Sequence, residues 1–351
     1  MNQIATIDIN SKYFNTLSAM CPQPPNQDAR ELLHDQINEI RRLKREKNAV
    51  ILSHYYMPAE LQVLDRDGGV ADFVGDSLGL SRAATTVQAE HIVFCGVKFM
   101  AETAKIINPT RTVLIPNAEA GCSLAESINA SDVRAMREMH PDAAVMTYIN
   151  TYAETKAESD VCCTSRNALS IAASLPQQDI VFLPDMHMGR NLRDRIKRET
   201  GKNLILWIGT CEVHAQFSGA VMRSMMSGYP DAEALVHWEV PQDAVQASMT
   251  NGHGVVGSTT DIINHVASSN AKKFLLVSEC DLGATLKGMY PDREFITPCI
   301  VCKHMKRITP ENTLATLRAI GTSAMKSYDV TLSEDILRRA LPPIQRMLDL
   351  S

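Results

Sequence analysis

Cys122, Cys211 and Cys302 recur roughly 90 residues apart along a chain of 351 residues, each closing an apolar run that reads as a β-strand. Thiolates are soft ligands that select zinc or iron–sulfur clusters. Three of them suit a [4Fe-4S] cluster in which one iron lacks a protein ligand and acts as a Lewis acid toward a hydroxyl or carboxylate. A lone cysteine after a strand is more often a small buried hydrophobe; the even spacing of all three is what points to a common site. Cys299-x-x-Cys302 alone would suit half a zinc site or a redox pair, with His304 close by, but the sequence has no second C-x-x-C to complete a four-cysteine zinc site. Cys162 and Cys163 are adjacent, so on a strand they face opposite sides, and Cys95 and Cys280 fall in strand-like runs that read as core.

The elements that must carry these thiols also come in threes. First strands read Val50 to His54, Val145 to Tyr148 and Leu235 to His237. A small-residue turn with a serine opening a helix follows each, at Asp76-Ser77, Thr164-Ser165 and Gly257-Ser258. Then come an apolar strand with a helix behind it (His91 to Gly96, Asp179 to Leu183, Lys273 to Ser278) and a fourth run into the cysteine (Thr112 to Pro116, Leu204 to Ile208, Glu294 to Thr297). Strands alternating with helical segments at this spacing predict parallel sheets of βαβ units.

The expected fold is α/β: three pseudo-repeated α/β/α sandwich domains with short parallel sheets arranged around a pseudo-threefold axis. The expected boundaries are an N-terminal arm at 1–28, repeats at 29–125, 126–215 and 216–304, and a helical tail at 305–351 packing on the body. The arm holds Pro22, Pro24 and Pro25; a charged, periodic helix runs from Asp28 to Lys47; in the tail, Thr309-Pro310-Glu311 and Ser333 are helix starts.

Polar residues gather at the same places. Ser77, Ser165 and Ser258-Thr259 are expected to begin helices, where free backbone N–H groups and the helix dipole favour an anion; an ordinary N-cap is the plain alternative. His54, His214 and His237 lie at or just past strand ends, where ligands of open parallel sheets bind and a histidine can hold a carboxylate or move a proton. A hydrogen-bonded structural role is the commoner fate of one such histidine. Tyr148 and Asn150 alternate, so on one strand they share a face.

Composition narrows the function. Net charge is −5 and apolar content 45 %, which gives no basic footprint for nucleic acid. No apolar stretch approaches the roughly 20 residues that span a bilayer, and the N-terminus has no signal-like segment, so a cytoplasmic, non-membrane protein is expected. Its nine cysteines then read as reduced thiols or metal ligands.

Ser53-His54-Tyr55-Tyr56, Gly75-Asp76-Ser77-Leu78, Phe99 to Ile106, Gly121-Cys122-Ser123-Leu124, Tyr148-Ile149-Asn150-Thr151, Thr164-Ser165, Gly209 to His214, His237-Trp238-Glu239 and Gly257-Ser258-Thr259 together resemble the quinolinate synthase family, the A proteins of NAD biosynthesis. The resemblance runs from about residue 30 to the C-terminus. It implies three similar α/β/α domains around one [4Fe-4S] cluster held by Cys122, Cys211 and Cys302. It also implies condensation of iminoaspartate with dihydroxyacetone phosphate to quinolinate, phosphate and water, and a functional link to the enzyme that supplies iminoaspartate. Lys303 and Trp238 stand where the family often has proline, and only Cys299 and Cys302 remain of the C-x-x-C-x-x-C run that some members carry at the third ligand.

On that resemblance His54, Ser77, Tyr148, Asn150, Ser165, His214, His237, Glu239, Ser258 and Thr259 are expected to bind the anionic substrates. Tyr56 and Glu239, assisted by His237, are expected to carry the proton transfers that tautomerisation, imine closure and loss of water require. Two other readings use the same residues: an iron-sensing or redox binding protein, and a metal-free sugar-phosphate enzyme whose cysteines are core.

Overall fold

The computed structural model describes residues 3–20 and 27–351; Cys21, Pro22, Pro24 and Pro25 lie outside the described residues. Among the described residues, twelve strands form three sheets. The first holds β1 (Ala49–His54), β2 (Phe73–Gly75), β3 (His91–Cys95) and β4 (Thr112–Leu114). The second holds β5 (Ala144–Tyr148), β6 (Val161–Cys163), β7 (Asp179–Leu183) and β8 (Asn203–Leu206). The third holds β9 (Glu233–His237), β10 (Gly254–Gly257), β11 (Lys273–Val277) and β12 (Glu294–Ile296).

Strand order is the same three times: β2-β1-β3-β4, β6-β5-β7-β8 and β10-β9-β11-β12. Every pairing is parallel. Parallel strands need crossover connections and are covered on both faces, and the sequences show it: β3 (HIVFC) and β5 (AVMTY) are buried at every position. The repeated α/β/α units expected from the sequence are present. Within the third, Val236, Leu275 and Val277 join Met222 and Ala244 of the flanking helices, and Phe217 of the loop before the first of them, in one apolar cluster.

The short second strands stand where the sequence predicts only turns. Three or four residues rich in glycine or cysteine give too little alternation to see, and they form because the first strand offers an open edge. The cysteines also sit differently from the expectation: each lies in the loop beyond the fourth strand rather than closing it, Cys122 past β4, Cys211 past β8 and Cys302 past β12. Cys280 is not on a strand but precedes the helix Asp281–Met289, whereas Cys95 is buried on β3, 3.7 Å from Thr313 Oγ1.

The chain forms two compact units, one of residues 1–120, 280–292 and 301–331, the other of 121–279, 293–300 and 332–351. In the first, the N-terminal segment contains a helix, Gln3–Met20, which packs on Asp281–Met289. The helix Gln27–Glu46 carries an apolar stripe through Leu33, Ile37, Ile40 and Leu43 at the i, i+3, i+4 spacing that buries one face. The tail helix Pro310–Ala319 packs against it; Thr309 closes a capping box with Asn312 and Pro310 takes the first helical position, where its missing N–H is no loss. In the second unit Ser333 caps Glu334–Asp349, which packs on the helix Ala153–Ala157 and on β6. No described helix is long and apolar enough to cross a membrane.

Candidate active site and metal centre

Strand register puts the candidate residues on equivalent positions. The last residue of each first strand stands opposite the last residue of each second strand: His54 and Gly75, Tyr148 and Cys163, His237 and Gly257. Just beyond, one backbone hydrogen bond recurs three times, from Tyr55 N to Gly75 O, Ile149 N to Cys163 O and Trp238 N to Gly257 O. Two residues past each first strand come Tyr56, Asn150 and Glu239. Two past each second strand come Ser77, Ser165 and Thr259. Nine residues picked from motifs therefore occupy three positions at the carboxyl ends of the strands, where open parallel sheets bind ligands.

The second unit gathers the densest group. Glu239 is 3 % exposed, and Tyr148 Oη donates to its Oε1 at 2.5 Å. His214 Nδ1 lies 3.0 Å from Glu239 Oε2, and His214 Nε2 lies 3.2 Å from Ser278 Oγ. The His237 ring stacks on His214, centroids 4.6 Å apart and planes at 18°. His237 Nδ1 accepts from the Glu239 backbone N–H at 3.3 Å and is 3.9 Å from Oε1. Glu239 thus leans on His214 and Tyr148 more closely than on His237. Burial alone would raise its pKa, but the two imidazoles and the tyrosine hydroxyl favour the charged form and hold it well below the usual carboxylate range. Asp185 goes the other way, pushed well up by burial and by the Glu239 charge.

Cys211 joins this group: its sulfur, a His214 nitrogen and a Glu239 oxygen lie within 4.8 Å of one another, a donor set able to hold a metal ion. Burial, Glu239 and Cys122 push its thiol well above the ordinary value. A thiol with negative neighbours gives up its proton readily only to a cation or a metal centre. Both His214 nitrogens and both Glu239 oxygens are already engaged by protein groups. The Glu212 backbone N–H donates to Ser123 Oγ at 3.2 Å, tying together the loops that carry Cys211 and Cys122. Glycines allow the approach: a Cβ on Gly209 would fall 2.3 Å from Ser127 Oγ and 2.6 Å from Pro184 O, and one on Gly121 would meet Glu126 Oε1 at 2.3 Å.

The hydroxyl positions differ from one another. Ser258 is a true cap, accepting from Asp261 N at 3.2 Å in a capping box, with Thr259 buried beside it. Ser77 is the first residue inside its helix, and the cap is Asp76, which accepts from Gly79 N at 2.7 Å. Ser165 does not begin a helix: it lies in a turn, and the helix Ala168–Ser174 starts after Asn167, which accepts from Thr164 N through its side chain. Ser165 instead lines a cavity of about 500 Å³ with Arg166, Arg195, Trp238 and His265. Asn150 is past the end of β5 rather than on it, and its Oδ1 is buried without a partner among the described residues.

His54, Tyr56, Ser77 and Cys302 belong to the first unit. There the His54 and Tyr56 rings meet edge to face at 4.7 Å, and Tyr56 N donates to His54 Nδ1 at 3.1 Å, the counterpart of the Glu239–His237 contact. Lys306 bonds the Tyr56 carbonyl and pairs with Asp281. Sequence reasoning misses Ser278 and Asp185, both past the ends of third strands; that position, which carries no motif, is the signal that could have found them.

Comparison with known proteins agrees with this architecture. Residues 38–349 match the family NadA, described as quinolinate synthetase A protein. The chain is 42 % identical to quinolinate synthase 1 of Mesorhizobium japonicum over 314 residues, covering 90 % of this chain and 91 % of that one. It is 41 % identical to quinolinate synthase of Aquifex aeolicus over 336 residues, 93 % and 98 % of the two chains, and 41 % identical to that of Xylella fastidiosa, 92 % and 89 %. With its triplicated parallel sheets and the buried Glu239–His214–Tyr148 group beside Cys211, the chain belongs to the quinolinate synthetase A protein family of enzymes.

Proposed function

We propose that the enzyme condenses iminoaspartate with dihydroxyacetone phosphate to quinolinate, releasing phosphate and water, as a step of NAD biosynthesis in the cytoplasm, next to the enzyme that supplies iminoaspartate. The observation that carries this reading is the pairing of the buried Glu239 carboxyl with His214 and Tyr148 at the strand ends, within reach of the Cys211 thiol. A metal-free sugar-phosphate enzyme with core cysteines has no use for that thiol so close to a carboxylate, and a sensor has no use for the acid–base group.

Cys122 and Cys211, with Cys302 at the matching place of the third repeat, are the proposed ligands of a [4Fe-4S] cluster; when bound it supplies a Lewis-acidic iron that polarises the hydroxyl lost as water. The chain's own residues do the rest. Ser77, Ser165, Ser258 and Thr259, with Asn150 and His54, receive carboxylate and phosphate oxygens. Glu239, kept as carboxylate, does its acid–base work through His214 and Tyr148, which it orients and whose protons it holds, and His237 and Tyr56 hand protons on. Such groups contribute on the order of 10²–10⁴-fold each when held within hydrogen-bond reach. The test is anaerobic turnover of the two substrates, followed as quinolinate formed: product is expected from the parent, and none forming in iron-replete protein overturns the reading.

A further inference from the structure

A fourth set of equivalent positions lies two residues past each third strand, at Val97, Asp185 and Glu279. The two acids are both 0 % exposed. Asp185 is the more informative. Its Oδ1 caps the helix Met186–Thr200 by accepting from Met188 N at 2.7 Å. Its Oδ2 is buried and has no hydrogen-bond partner among the described residues. The backbone at Asp185 bridges to Gly209, and Met186 N donates to Gly209 O at 2.8 Å, so the backbone that carries the carboxyl is tied to the loop that carries Cys211.

Capping needs one oxygen. A buried carboxyl oxygen left unpaired costs about 1–3 kcal/mol, and native proteins rarely leave such atoms without a partner. Serine or asparagine would cap as well without that cost. The second oxygen therefore has a use that the cap does not explain, and its neighbours at this edge are Glu239 and Cys211.

We propose that Asp185 is a substrate-binding residue of this site, its Oδ2 hydrogen-bonded to a hydroxyl or N–H group of the bound substrates. This rests on the function proposed above, in which iminoaspartate brings an N–H and dihydroxyacetone phosphate a hydroxyl. Quinolinate, an aromatic dicarboxylate, brings neither, so substrate and product part company at this residue.

Asp185→Asn keeps the cap and replaces the second oxygen by an amide nitrogen; Asp185→Ser keeps the cap and deletes the second oxygen. In iron-loaded anaerobic protein both are expected to melt close to the parent, to bind quinolinate within about twofold of it, and to lose tenfold to hundredfold in kcat/KM for dihydroxyacetone phosphate, the scale of one hydrogen bond. A kcat/KM equal to the parent's overturns the inference, as does an equal loss of quinolinate affinity. Should neither variant fold, the parent soaked anaerobically with dihydroxyacetone phosphate decides: Oδ2 within about 3.2 Å of a ligand hydroxyl supports it, and a longer separation overturns it. A parent that fails to turn over the substrates indicts the proposed function, whereas active parent with active variants indicts only Asp185.

Discussion

Charge kept in a buried place governs the chemistry of single residues in this enzyme. Glu239 is paired as an anion, and its folded pKa is lower than the ordinary 4.5. Its ion pair therefore contributes fully above about pH 4.5 and is lost as pH falls through the folded value. Glu239→Gln should melt below the parent at pH 7, by an amount worth about 1–3 kcal/mol for a charged buried hydrogen bond, and the gap should narrow in acid; thermal melts at pH 7 and pH 4 check it. The same variant should keep its iron and lose about 10²-fold or more in turnover. Tyr56→Phe, which removes only a hydroxyl, should do likewise, and near-parental quinolinate formation by either excludes that residue from proton transfer. Both residues can be named from sequence because their motifs are local. The partners of Glu239 cannot: Tyr148 and His214 meet it only through the fold, and His237, two residues away in sequence, is the more distant contact.

At the scale of elements, the repeat is legible where apolar runs are long, as in β1, β5 and β9, and illegible where an edge strand is three residues long, as in β2 and β6. Helix starts are legible when cap and acid or amide stand at fixed spacing, as at Ser258 with Asp261 and Thr309 with Asn312. The pattern fails at Ser165, where the turn-forming Asn167 moves the helix onset downstream. The two serines should therefore respond differently to substitution. Ser258→Ala should cost about 1 kcal/mol of stability through loss of its cap, as well as weakening binding of a dicarboxylate. Ser165→Ala should leave denaturant midpoints nearly unchanged and weaken binding alone. A stability loss at Ser165 equal to that at Ser258 would mean that the turn, not the ligand, needs its hydroxyl. Gly209→Ala should lower iron content, because its Cβ has no room against Ser127 and Pro184, whereas Gly201→Ala, with nothing near its Cβ but a φ of +77°, should cost about 1 kcal/mol of stability and leave iron intact.

At the scale of the whole molecule, one βαβ design is used three times, and beyond the fourth strand of each copy lies a loop that carries one of the evenly spaced cysteines, Cys122, Cys211 or Cys302. The regular spacing of those cysteines makes the triplication readable in the sequence. The division into two compact units is not readable there, because the helix Asp281–Met289 follows the third-repeat strand β11 in sequence but belongs to the first unit, a choice made by packing rather than by local pattern. Fold and chemistry join if one thiol from each repeat holds a single iron–sulfur cluster needed for making quinolinate. The most direct measurement is iron and sulfide content, with quinolinate formation, in anaerobically purified parent and in Cys122→Ser, Cys211→Ser and Cys302→Ser, beside Cys162→Ser as control. The parent and the control should carry about four irons per chain, as a [4Fe-4S] centre requires, and make quinolinate, while each of the three variants should lose both; a full cluster retained in Cys211→Ser would contradict the account.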